Sequence, residues 1–464
     1  MTLEASLGLS SVVDDLALGR VTSTELVKEY LRRIEEVDSA LRSYVTVIGE
    51  EALEGASRAD SALEQGELLG PLHGLPIALK DNIQTAGTLT TMGSLFFADY
   101  VPRESAMVWE RLQKAGAVLL GKTQLHEFAY GATTQNPHHG ECRNPWDTTR
   151  TPGGSSGGSG AAVGAALCAV ALGTDTGGSV RIPASLNGIS GIRPTLGRVP
   201  NTGVFHVSWS FDTVGPMARS LMDLASVFDV MAGYDAADPA AINREAVSLV
   251  RALEHDPAGL RVGISEDFFF EDVDSEIVDA VYVAVDELTA SGIEIVLVDL
   301  PGIREVVETC SRIIWSEATA LHAERMEKEP DKFGADTRRR LAFGNKVSGT
   351  EYAFCLEKLR KWKRSLEQVF ETVDAILSPA TGIVAPPASS ETIETTSQLT
   401  RLTYGWSFGN LPAISIPCGF SSDGLPIGLQ LAAAPWQEAT LISVASRYQD
   451  RTDWHKKLPP ILSS

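Results

Sequence analysis

The sequence predicts an α/β fold, on three observations. The segments LRVGIS (260–265) and IEIVLVDL (293–300) read as strands, with the helical pattern DSEIVDAVYVAVDELTAS (274–291) between them. Such a strand–helix–strand unit implies parallel pairing. GLPIALKDNI (74–83), AVLLGKT (117–123) and AVALGTD (169–175) are short apolar runs that each enter a loop. Strand-like runs return near the C-terminus in VDAILSPA (373–380), AISIPCGF (413–420) and IGLQLAA (427–433).

Taken in chain order, the first helix opens at TSTELVKEYLRRIEEV, where Thr22 and Glu25 have capping-box spacing and Leu26, Tyr30, Ile34 and Val37 share one face. A second helix is expected over Glu50–Glu64. From about Leu69 to Ser220 short strands alternate with glycine-rich turns. Ala161 onward, AAVGAALCAV, reads as a buried helix of small residues. Long helical patterns cover about 303–328 and 351–372. No internal repeat, low-complexity tract or linker divides the chain, so one large domain over 1–464 is expected. That holds although roughly 150 residues per domain would suggest two or three.

Composition excludes several classes. Hydrophobic residues are 44% and charged residues 21%, enough to bury a sizeable core. The net charge of -21 argues against nucleic-acid binding, which needs a basic footprint, and against anionic membrane surfaces. The N-terminus lacks the pattern of a secretory leader, and no apolar run is long enough to span a bilayer. A soluble, cytoplasmic protein is expected. Five cysteines at scattered spacings fit reduced thiols and no zinc framework.

The chemistry concentrates in two serine–glycine runs. PGGSSGGSG (152–160) places Ser155 where a loop enters a helix. GTDTGGSVRIP (173–183) places Gly177 and Gly178 directly before Ser179. A nucleophilic serine needs a tight turn and amides aimed at a developing oxyanion, and Thr176, Gly177, Gly178 and Ser179 could each supply one. A flexible linker is the bland alternative, but both runs flank apolar segments that look buried. None of the eight histidines lies in a motif that suggests a triad. The alternative base is a buried, neutral lysine, and Lys80 is the only cation in LHGLPIALKDNI. A lysine capping a strand end would look the same.

These residues resemble the amidase-signature family. GGSSGGSG with DTGGSVRIPASLNGISGIRPT carries the resemblance, and PLHGLPIALKDNI is similar to the family's upstream lysine motif. GKTQLHEFAYG, SFDTVGPMARS, LPAISIPCGF and LPIGLQL also match, so the likeness spans nearly the whole chain. Lys80 precedes Ser155 by 75 residues, and Ser155 precedes Ser179 by 24, in the family's order. The resemblance implies a central mixed sheet covered by helices on both faces. It implies a Ser–Ser–Lys triad: Lys80 the base, Ser155 the bridging serine behind a cis 154–155 peptide, and Ser179 the acyl-enzyme nucleophile. It requires no cofactor and no metal. The single domain is expected to comprise N-terminal helices (1–64), the signature core (65–220), a substrate-shaping region (221–375) and C-terminal strands returning to the core (376–464).

Other residues take supporting places. Arg181 and Asp175 are read mainly as a salt bridge shaping the loop, and Asp212 and Glu127 as scaffold polar groups. GAVLLGKT (116–123) matches the phosphate-loop pattern, but its middle reads as the strand itself. Cys168 reads as core.

The expected activity is hydrolysis of a carboxamide: a small aryl or alkyl amide, with carbamates or esters possible. Phe205, Trp209, Trp315, Ile383 and Tyr404 are the expected pocket walls. Two rivals lie in the same family. One is the glutamine amidotransferase component that releases ammonia within a tRNA-charging complex. The other is a biuret or urea-carboxylate (allophanate-type) hydrolase. The amidotransferase component usually carries a tyrosine–aspartate–glycine motif, absent from residues 311–344. That favours a stand-alone hydrolase, monomer or homodimer, with a small-molecule amide and water as partners and no nucleic acid or membrane. A degenerate binding scaffold is disfavoured by the intact triad positions.

Overall fold

A computed structural model describes residues 6–462; Met1–Ala5, part of the segment read as lacking a leader, and the side chain of Cys310 lie outside the described residues. Thirteen strands occur among the described residues. They are β1 (Tyr44–Val47), β2 (Pro76–Lys80), β3 (Val118–Thr123), β4 (Gln135–Asn136), β5 (Gly140–Glu141), β6 (Val170–Asp175) and β7 (Ser190–Arg193), followed by β8 (Thr213–Ala218), β9 (Arg261–Ile264), β10 (Glu294–Leu297), β11 (Ala375–Pro379), β12 (Ala413–Phe420) and β13 (Pro426–Ala433). Eleven form one sheet in the order β1-β3-β2-β6-β8-β7-β12-β13-β11-β9-β10, while β4 and β5 pair separately. The sheet is mixed. β2 runs parallel to β3 and β6, and β9 runs parallel to β10 and β11. The middle is antiparallel, through β6–β8, β8–β7, β7–β12 and β12–β13.

Both faces are covered, as strand alternation demonstrates. Ala375, Leu377, Ile414 and Leu431 join one apolar cluster, packed with residues of the helices Ser23–Leu41, Leu221–Met231, Ser275–Ala290 and Glu438–Arg451. Ile376, Ala413 and Ala432 join the other, with residues of Ile303–Lys328, Gly349–Val369 and Tyr404–Phe408.

Local signals explain many of the elements. Thr22 accepts from the Glu25 amide and Glu25 accepts from the Thr22 amide, a complete capping box. The expected strand–helix–strand unit is β9, Ser275–Ala290 and β10, with Val262 opposite Ile295 in parallel register. One element differs. The small-residue helix starts earlier, at Gly157, and stops at Gly164. Register overrides propensity here: Val170 must lie opposite Ile77 of β2, so the chain turns through Ala166, at φ +51°, to begin β6. Among the described residues no helix is long and apolar enough to cross a membrane.

Candidate active site

Parallel pairing brings Lys80 to its neighbours. Ile77 lies opposite Val170 and Leu79 opposite Leu172, so β2 and β6 finish side by side. The carboxyl ends of such strands are where open α/β sheets place their sites. Lys80 ends β2, and its Nζ donates to Thr174 Oγ1 at 2.8 Å and to Ser155 Oγ at 2.7 Å. Lys80 is fully buried. Burial pushes its ammonium down to about 7, against the opposing pull of Asp212 and Asp175. A neutral lysine has a lone pair, so the 2.7 Å contact then runs the other way, with the Ser155 hydroxyl donating.

The Gly154–Ser155 peptide is cis. Of the two adjacent serines, only Ser155 faces the lysine. Ser156 Oγ instead donates to the Thr174 carbonyl and accepts from the Thr174 amide, both at 3.2 Å. Ser179 follows β6 in the turn before the helix Arg181–Leu186. It is partly exposed and lines a cavity of about 630 Å³ together with Thr176 and Gly177. No hydrogen bond joins Ser179 to Ser155 among the described residues; the direct contact runs between Ser155 and Lys80.

The turn is held from beneath by a buried ion cluster. Asp175 pairs with Arg181 and Arg193, each at 3.1 Å, and all three side chains are fully buried. Burial alone would raise the Asp175 carboxyl, but the two guanidinium groups override it and hold it well below the usual carboxylate range. Asp175 also accepts from the Gly178 amide at 2.8 Å, with Gly178 at φ +128°. That amide is therefore committed inward, which removes Gly178 from the expected oxyanion donors. Gly177 must be glycine for another reason: a Cβ there would lie 2.2 Å from Tyr404 Cε1.

A partly exposed serine that lines a cavity, in a chain that also holds a buried lysine–serine contact, makes a candidate site for acyl transfer. The family model for amidases matches residues 25–442. This chain belongs to the amidase family. It acts on amide C–N bonds. It is 38% identical over 472 residues to the A component of glutamyl-tRNA(Gln) amidotransferase from Chloroflexus aurantiacus, covering 96% of this chain and 97% of the relative. A solved structure described as a vestigial protein complex revealing the evolutionary origins of an s-triazine catabolic enzyme superposes with a TM-score of 0.90 at 34% identity, covering 95% and 97% of the two chains. The A component of glutamyl-tRNA(Gln) amidotransferase from Thermotoga maritima superposes with a TM-score of 0.78 at 30% identity, covering 96% and 93%.

These relatives overturn two expectations. The stand-alone hydrolase of a small aryl or alkyl amide gives way, because relatives matching nearly end to end carry the name of the rival amidotransferase component. The exclusion of any nucleic-acid partner, and the monomer or homodimer working on a small amide alone, fall with it. A missing tripeptide between 311 and 344 is a local difference, outweighed by likeness over the rest of the amidase chain.

Around the cavity, the structure sorts the expected walls. Trp315 and Tyr404 line it. Phe205 does not: it packs among Phe97, Phe128 and His322. Trp209 is 48% exposed on the surface, and Ile383 packs against the cluster of Ile182 and Leu399. Tyr130, Phe268 and Ile393 line the cavity without having been foreseen, as do Arg304, Arg340 and Arg401. Thr174 and Asn82 were also missed. Asn82 Nδ2 donates to Thr174 Oγ1 at 3.3 Å and to the Phe205 carbonyl at 3.0 Å, steadying the hydroxyl that Lys80 contacts. Asn82 lies two residues after Lys80, the one signal that pointed to it.

Two decoys resolve. Lys122 of GAVLLGKT lies in β3 with its fully buried amine on Ile83, Thr85 and Thr90, so it has no reach to a phosphate. Cys168 is buried in the core, and burial pushes its thiol up to about 12. Cys142, Cys355 and Cys418 are likewise free and buried. Glu127 and Asp212 are buried acceptors that tie loops together.

Proposed function

We propose that this chain is the glutamine-hydrolysing component of a glutamine-dependent amidotransferase serving transfer-RNA charging. The observation that carries the proposal is the near end-to-end similarity, at 38% identity, to a protein named as the A component of glutamyl-tRNA(Gln) amidotransferase. The cavity chemistry supports it. Glutamine presents a carboxylate, an ammonium and a carboxamide. Arg304, Arg340 and Arg401 line the cavity and can meet the carboxylate, and Glu308 can meet the ammonium. Arg340 is pre-oriented by Asp336 at 2.8 Å and Thr396 at 3.0 Å.

In this proposal neutral Lys80 draws a proton through Ser155 as Ser179 Oγ attacks the side-chain carbonyl of glutamine. The amides of Thr176, Gly177 and Ser179 receive the oxyanion. The relay returns the proton to the leaving nitrogen, the C–N bond breaks, and ammonia departs. Water then enters, gives its proton to the same relay and releases glutamate from Ser179. The ammonia passes to a partner protein. With a net charge of -21, this chain leaves phosphate contact to the other members of the assembly.

The test is ammonia release from L-glutamine by the chain purified with whatever partners it retains. Turnover stimulated by glutamyl-tRNA(Gln) and lost in Ser179→Ala is expected, and Arg340→Met should raise KM by about tenfold or more. An assembly inert toward glutamine, yet active on other amides, would overturn the proposal.

A further inference from the structure

The loop 205–211 and Asp212 lie behind the turn that carries Thr176, and their side chains have no part in the relay described above. Asp212 is 3% exposed. Its Oδ1 accepts from Thr176 Oγ1 at 2.6 Å. Its Oδ2 accepts from the amides of Val207 at 2.7 Å and Ser208 at 3.2 Å, and lies 3.2 Å from His206 Nδ1. Asn201 Nδ2 donates to the Asp212 carbonyl at 2.9 Å. The loop is anchored on its far side as well. Glu317 accepts from Ser208 Oγ, from the Ser210 amide at 3.2 Å and from Tyr352 OH at 2.9 Å. Thr176 and Val207, one on each side of Asp212, both line the cavity. A clamp therefore runs from the helix Ile303–Lys328 through the loop to the Thr176 turn.

We propose that His206 is a positioning residue: by holding Asp212, it fixes the Thr176 hydroxyl, and with it the oxyanion-binding turn, and it offsets the Asp212 charge that acts on Lys80. This rests on Ser179 being the nucleophile. His206 is about one-third exposed and faces the carboxylates of Asp212, Asp238 and Glu317, and its hydrogen bond to Asp212 helps hold its imidazole above the ordinary range against the effect of burial. The Asp212 charge in turn favours the charged forms of Lys80 and Arg193. A cationic His206 neutralises Asp212, so less negative potential reaches Lys80, and the amine stays neutral to lower pH. The device has two separable parts, a placement carried by the hydrogen bond and a charge carried by the imidazolium.

The experiment is the pH dependence of Ser179 acylation by a fluorophosphonate probe on the assembled protein, which requires no assumption about the natural amide. His206→Ala should lower the high-pH plateau by about tenfold and move the acid limb up by about half a pH unit. His206→Asn, whose amide can donate in place of Nδ1 without charge, should restore the plateau and keep the shifted limb. Thr176→Val should lower the plateau with the limb unmoved. Wild-type plateau and limb in His206→Ala would overturn the proposal, as would a plateau in His206→Asn no higher than in His206→Ala. Labelling of Ser179→Ala at the wild-type rate would instead overturn the nucleophile assignment, whatever the His206 variants do.

Discussion

Lys80 offers the sharpest test of the chemistry. An exposed lysine at pH 7 is neutral in only about 4 molecules in 10,000, because its ordinary value is near 10.4. Burial at the end of β2 brings Lys80 to about 7, so about half of it is neutral at that pH. A displacement of that size corresponds to about 5 kcal/mol of environment acting against the ammonium. Because the value is lowered, the competent base is present above about 7 and lost below it. Acylation of Ser179 by a fluorophosphonate, followed across the neutral range, should therefore rise through a single acid limb near 7. Lys80→Arg places a group that stays charged over this whole range and should remove the limb. Its rate should fall by about 10²–10⁴, the usual worth of a positioned general base. The same limb persisting in Lys80→Arg, or a flat wild-type profile through neutrality, would refute the reasoning.

Further outcomes follow from the surrounding contacts. Ser155→Ala should abolish labelling of Ser179, whereas Ser156→Ala, which removes only contacts to the Thr174 backbone, should retain most of the rate and lower stability by about 1–2 kcal/mol in urea unfolding. Gly177→Ala drives a methyl against the Tyr404 ring, so labelling should slow by at least about tenfold while far-ultraviolet circular dichroism is unchanged. Asp175→Asn leaves the buried Arg181 and Arg193 short of their counter-charge and should cost about 3–5 kcal/mol, read as a lower denaturation midpoint.

What the sequence made legible depended on the range of the signal. The capping box at Thr22 and Glu25 is local, and it forms as read. The strand–helix–strand unit is legible because period and length suffice. The contact of Lys80 with Ser155 spans 75 residues and could not be derived from composition; order and spacing against a family supplied it. The pocket walls were poorly legible for a physical reason. An aromatic letter says that a side chain buries area, but gives no direction. Phe205 turned into an aromatic cluster, while Trp315 turned to the cavity. Thr174 escaped notice because a threonine within a strand carries no mark of facing a lysine. The substrate reading failed by weighing one absent tripeptide above similarity along the whole chain.

The pairing of β2 with β6 has one more consequence. In the proposed relay Lys80 is an ordinary, protonated amine until those two strands close, and Ser155 has nothing to give its proton to. β3 lies between them in the sequence but pairs on the opposite side of β2, so the Lys80 and Ser155 contact depends on a pairing of strands distant along the chain. The nascent chain is thus a latent enzyme. In the proposed relay, closing the sheet is what creates the base.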